Sequence, residues 1–316
     1  MFVLLFGSLK LGCGLSTTPL CLMRNSNKYD NSGYGPLLDL LEKELSPYIK
    51  LSEKSFRFFI ESISKKTYLL KSQDNRIINL LLNNAKNTSF SIRLLSTWGQ
   101  PIEGFALLRI RLEQLIVSSY LINEEPAKGL EPFKKFHPVI EYSLLKANDK
   151  NDNLKLALSN IVPELANGYN TRMKEIQKNI EKCFEISDDT YKRKWTNLFI
   201  NQLAEHRDKL INNNNEISKI KLLDYYNTIY KIASSIVHSD IASLSADFIT
   251  TDGKGMLKPQ ELYIFTNLIT LVQFDIIQCY ESAKYLKLNI DNKFVELNEE
   301  YLEQVKKDWG IISNKA

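Results

Sequence analysis

The sequence predicts an all-α protein, a multi-helix bundle built around a central apolar helix at about 101–123. Three observations carry that expectation. Apolar residues recur at helical spacing nearly throughout, and no pair of strands stands out. The 316 residues include only 12 Gly and 9 Pro. A sandwich, a barrel or a doubly wound sheet needs many more tight turns than those allow. Residues 101–123 are apolar almost all round, as a helix in the middle of a bundle must be.

Each element has a local reason. Leu37, Leu38, Leu40, Leu41 and Leu45 form one face, so a helix is expected over Pro36–Leu45. Ser46-Pro47 should end it, because the residue before a proline avoids the helical region. A second helix is expected over Glu53–Lys65, with Phe56, Phe59 and Ile60 buried. A third covers Asn75–Asn84 and continues through Ser89 to Trp98, with Gly99 as its stop. Pro101 opens the central helix in the favoured first turn.

Pro126, Gly129 and Pro132 punctuate a loop. Helices follow at Phe133–Ala147, at Asn151–Ile161 and at Thr171–Glu185, the last charged enough to be a solvated arm. Another is expected over Tyr191–Ala204, around Trp195. The asparagine run Asn212–Asn215 reads as a loop. Lys219–His238 is amphipathic, and Thr251–Gly255 is a turn. Glu261–Leu286 is a long apolar helix, and Asn292–Trp309 closes the chain. The short connections favour one helical domain over 23–316, with C-terminal helices in 260–313.

Residues 1–22 differ from the rest. An apolar start is broken at Gly7 and Ser8, and Lys10 is the one charge before Arg24. Three readings stand: a secretory or lipoprotein signal, an ordered N-terminal segment, and an over-extended start with translation beginning at Met23. The run is too short to cross a bilayer, and no membrane span is expected elsewhere. The 41 basic and 37 acidic residues give a formal charge of +4, which neither demands nor excludes nucleic acid. Cys13, Cys21, Cys183 and Cys279 form no Cys-x-x-Cys pair, and no His lies at metal-ligand spacing from them. No disulfide framework, metal or cofactor is expected, and a reducing, cytoplasmic compartment fits best.

Two faces carry the candidate chemistry. On the central helix Arg109, Glu113 and Tyr120 share a side with Phe105, Ile116 and Val117. Arg111 falls on the far side with Gln114 and Ser118 and reads as solvent-facing or rim-like. The Arg109–Glu113 pair, expected to be buried, is either a structural ion pair or a site. In the second case Arg109 presents its planar fork to an anion, with Glu113 as orienter or base. On Lys219–His238, the residues Tyr226, Tyr230, Ser234 and His238 follow at four-residue spacing. His238, near a helix C-terminus, is biased towards its charged form, suited to bind an anion or act as a general acid. Lys231 lies on the polar side of that helix. His137 and His206 read as surface or packing residues, with His206 in the solvated run Glu205–Asp208.

Weaker motifs add little. The acidic residues of Asp247–Gly255 miss the register of a calcium loop. There is no phosphate-binding glycine loop and no nucleophile elbow. Tyr191-Lys192-Arg193-Lys194-Trp195 has the composition of a nucleic-acid contact, and equally of a solvated helix start.

The helix carrying Arg109-x-x-x-Glu113 before Tyr120-Leu121, then Trp195, then the Tyr226 to His238 stripe, resembles the bacterial family of domain of unknown function 5677. The likeness spans roughly Pro36 to Leu244. It implies an all-helical fold and a site, and no reaction. Members mostly begin with a helix like Pro36–Leu45, which supports Met23 as the start. A looser likeness is to helical domains of the HEPN type, known from toxin–antitoxin and phage-defence systems. Their hallmark arginine precedes a histidine by a few residues. Ala233, Ile232 and Lys231 hold those places here, so the hallmark is absent.

Two functions follow. One is a non-enzymatic module that binds a partner protein, another copy of itself or a small anion, with Arg109, Tyr226, Tyr230, Ser234 and Lys231 at the site. The alternative is a defence or toxin-like effector acting on RNA or nucleotides. There His238 is the acid or base, Arg109 and Lys231 hold a phosphate, and Glu113 orients Arg109.

Overall fold

The computed structural model describes residues 46–66, 71–97, 100–136, 171, 174–178, 195–211, 217, 220–237, 248–251, 254–257 and 260–313. The chain divides into two compact units, Met1–Asn123 with Ile200–Ala316, and Glu124–Phe199. The fold is an all-α bundle, as expected.

The first unit holds α1 (Ser46–Ser64), α2 (Gln73–Thr97), α3 (Pro101–Asn123), α5 (Ile200–Leu210), α6 (Leu222–Tyr225), α7 (Lys231–Val237), α8 (Gln260–Tyr285) and α9 (Asp291–Ser313). α4 (Leu130–Lys135) belongs to the second. The apolar helix α3 is central: α2, α5, α7 and α8 all pack on it. α8 shares that role, with α1, α2, α3 and α9 against it, and its residues from Asn267 to Ala283 are buried throughout.

Several expected boundaries move. α1 covers residues ahead of the expected Glu53, with Ser46-Pro47 in its first described turn. Phe56 and Phe59 are buried, but Ile60 is 41% exposed. The core line of α1 runs through Tyr48, Ser52, Phe56, Phe59 and Ile63, and Ile60 falls about 80° from its middle. α2 is one continuous helix to Thr97. The helix expected from Tyr191 begins at Ile200 instead. Residues 195–198 are bends, and the Leu198 amide donates to Thr196 Oγ1 (3.2 Å), a local bond that competes with helix.

A two-stranded antiparallel hairpin, β1 (Phe248–Thr251) with β2 (Lys254–Leu257), was not expected. Its register pairs Thr251 with Lys254, leaving two residues between them. The sequence at those positions is Asp252-Gly253, a hairpin signal read only as a turn. α8 ends in a Schellman motif: the Leu288 amide reaches Ala283 O (2.9 Å) and the Lys287 amide reaches Lys284 O (3.1 Å). Lys287 takes the left-handed position, at φ 53°.

The expected helices Pro36–Leu45 and Asn151–Ile161, the leader, Trp98, Gly99, Asn212–Asn215, Tyr191–Lys194, His137 and His238 lie outside the described residues. So do Cys13, Cys21 and Cys183, and most of the spans expected at Phe133–Ala147 and Thr171–Glu185.

Candidate functional site

Arg109 and Glu113 do share a face of α3, one turn apart. Arg109 Nε lies 3.4 Å from Glu113 Oε1, an ion pair rather than a close hydrogen bond. Their side chains are 25% and 33% exposed, so the pair is not the buried one expected. Tyr120 is buried further along α3 and packs on the His206 ring, at 5.7 Å between centroids. His206 is therefore a half-buried packing residue rather than a solvated one.

The segment expected as a single α-helix over Lys219–His238 is three pieces. α6 runs into a π-turn, Tyr226–Tyr230, and then α7. A π-turn holds one residue more than an α-turn, so the four-residue stripe does not continue as a simple line. The turn carries both tyrosines of interest. Their rings stack at 4.4 Å and 22°. Arg109 Nη2 donates to the Tyr230 hydroxyl oxygen (3.1 Å), and its guanidinium carbon lies 4.8 Å from the Tyr230 ring centroid. Arg109 and Tyr226 thus both contact the Tyr230 ring, and Glu113 lies beside Arg109.

Charge follows the geometry. Burial raises the Tyr230 hydroxyl above its ordinary range; Arg109 opposes that and Glu113 reinforces it. A neutral Tyr230 can accept from Arg109. Ser234 is half-buried and Lys231 exposed, and neither bonds to Arg109 among the described residues.

The buried polar network lies elsewhere. Arg111, expected at the surface, is fully buried. Its Nη2 pairs with Asp275 Oδ1 on α8 (3.0 Å), and its Nε donates to Ser89 Oγ on α2 (3.0 Å). Asp275 also accepts from Ser89 (2.7 Å) and from Ser52 on α1 (2.5 Å). Four helices therefore meet at one carboxylate. Burial pushes the Asp275 carboxyl up, against the opposing pull of Arg111, Ser52 and Ser89. The neighbouring Cys279 thiol is buried, and burial raises it far above its ordinary range.

A second buried arginine sits in the run expected to be solvated. Arg207 pairs with Glu281 of α8 and with its neighbour Asp208 (3.0 Å). Sequence carried a signal for the first of these networks. Asp275 is the one charge within the apolar stretch Tyr263–Tyr280, and a buried charge requires a partner.

No group of three potential metal ligands occurs among the described residues. Among them, no helix is long and apolar enough to cross a membrane. A model for a family of unknown function, DUF5677, matches residues 74–256. The match begins in α2 and ends in β2. It includes Arg109, Glu113, Tyr226 and Tyr230, while Asp275 and Glu281 lie past its end. No curated protein and no solved structure matches the chain.

Proposed function

Since the chain belongs to the DUF5677 family, a family of unknown function, we propose its role from the geometry: a non-enzymatic binding module that takes a small anionic ligand at Arg109. One observation carries this reading. The guanidinium is held by Glu113 on one edge and by Tyr230 on another, while Nη1 makes no hydrogen bond among the described residues. The side chain is a quarter exposed. A planar guanidinium fixed in this way suits a carboxylate or phosphate better than a free lysine does, because its geometry is set in advance. The stacked Tyr226 and Tyr230 supply a flat wall beside it, which favours a ligand with a planar or apolar part. Glu113 orients the arginine and moves no proton.

The test is calorimetric titration of the full chain with inorganic phosphate and, separately, with acetate. Saturable binding that Arg109→Ala removes supports the reading. The variant should lose less than about 1 kcal/mol of stability, because the ion pair is partly solvated. Unchanged affinity in a folded Arg109→Ala protein ends it. RNA breakdown by the wild type that His238→Ala abolishes would replace it with the effector reading.

A further inference from the structure

The two parts of the anion site lie on separate elements. Arg109 is on α3, and Tyr226 and Tyr230 are on the π-turn that follows α6. Nothing within α6 caps its start. Lys221, the residue before it, makes no side-chain cap bond. The first amides of a helix need acceptors, and here they come from another helix. Asp208 of α5 takes both, with Oδ1 accepting from the Leu222 amide (3.0 Å) and Oδ2 from the Leu223 amide (3.0 Å).

The preceding residue locks the same junction. Arg207 Nη1 donates to the Ile220 carbonyl (2.7 Å), just ahead of α6, and to Asp208 Oδ1 (3.0 Å). Its Nη2 bonds to Glu281 of α8. The other Glu281 oxygen accepts from Asn123 Nδ2 (3.1 Å), the last residue of α3. A continuous chain of polar contacts therefore runs from the end of α3, through Glu281, Arg207 and Asp208, to the start of α6. Arg207 is fully buried and Glu281 nearly so, which fixes their rotamers.

We propose that Arg207 and Asp208 form a positioning pair that sets the Tyr226–Tyr230 turn against Arg109, and so tunes the affinity of the anion site. The inference deepens the binding reading above and rests on it. Neither residue touches the ligand. Asp208 fixes where α6 begins, and four residues later Tyr226 opens the π-turn. Freed of that anchor, the start of α6 frays, and Tyr230 loses its fixed distance from Arg109. Arg207, bonded to the Ile220 carbonyl and to Glu281, then holds the junction alone.

Nitrogen–proton NMR of the full chain tests this, with the Arg109 Nε–Hε signal identified by its loss in Arg109→Lys. Asp208→Ala should move or broaden that signal and weaken inorganic phosphate binding about fivefold or more, the usual scale of coupling between sites. Tyr48→Phe is the control. It removes a hydrogen bond to Asp308 between α1 and α9, away from this chain of contacts. It should leave both readouts unchanged. The inference is overturned if folded Asp208→Ala matches the wild type in both, or if Tyr48→Phe shifts the Arg109 signal equally. Should Asp208→Ala not fold, Asp208→Asn, which keeps the volume and one acceptor, is read by the same criteria. If the wild type binds no phosphate yet Asp208→Ala still moves the Arg109 signal, the positioning holds and the binding reading fails.

Discussion

Replacing Arg111 by methionine separates the buried network from the exposed site. The side chain is fully buried, and so is its partner Asp275. Methionine fills much of the volume but leaves the carboxylate with only the Ser52 and Ser89 hydroxyls as donors. Breaking a buried pair in this way costs about 3–5 kcal/mol. That is a large share of the roughly 5–15 kcal/mol that holds a folded protein together. Removing both partners, as Arg111→Met with Asp275→Leu, leaves no buried charge at this site and should recover most of the loss.

The pH dependence gives a second check. Burial already holds the Asp275 carboxyl above its ordinary range, with the Arg111 charge opposing that rise. Without Arg111 the rise grows. The folded chain then binds a proton more tightly than the unfolded chain, so acid favours folding of the variant as pH falls through the raised value. The gap between variant and wild type should be widest at neutral pH. It should narrow on acidification towards about pH 4, where an unfolded aspartate also begins to protonate. Guanidinium unfolding followed by circular dichroism at pH 7 and pH 5 measures both effects. A loss below about 1 kcal/mol at pH 7, or a gap that does not shrink at pH 5, would refute the reasoning.

Two further changes probe the packing. A Cβ at Gly104 would lie 2.9 Å from Ser96 Oγ, 3.0 Å from Asn267 Nδ2 and 3.3 Å from the Ile92 carbonyl. Ser96 and Asn267 are tied to each other, and Asn267 to the Pro101 carbonyl, so neither has room to turn aside. Gly104→Ala should therefore lower stability by about 1–3 kcal/mol despite its better helix propensity, and an unchanged melting temperature would show that α2 and α8 can yield. At Lys287, φ is 53° in the Schellman turn after α8. Lys287→Gly relieves the crowding of Cβ there and should raise stability by about 0.5–1 kcal/mol, read as an increase in the denaturation midpoint.

The helices were legible because periodicity is a local property. α2, α3, α8 and α9 each repeat their apolar residues over enough turns to be read without neighbours, and the central place of α3 followed from its having no polar side. That same uniformity hid what α3 buries. Arg109 shares its side with Phe105, Ile116 and Val117, so periodicity favoured it, yet Arg111 is the fully buried arginine. The choice is made by α8, which sets Asp275 opposite Arg111 across 164 residues of sequence separation. Glu281 draws Arg207 inward across 74 residues in the same way. The Arg109–Tyr230 contact spans 121 residues. The spacing of each partner on its own helix was visible, but their meeting depended on a π-turn that no period announces. Helix formation answers to near neighbours along the chain. The pairing of charges answers to desolvation, and only packing determines which charges lose their water.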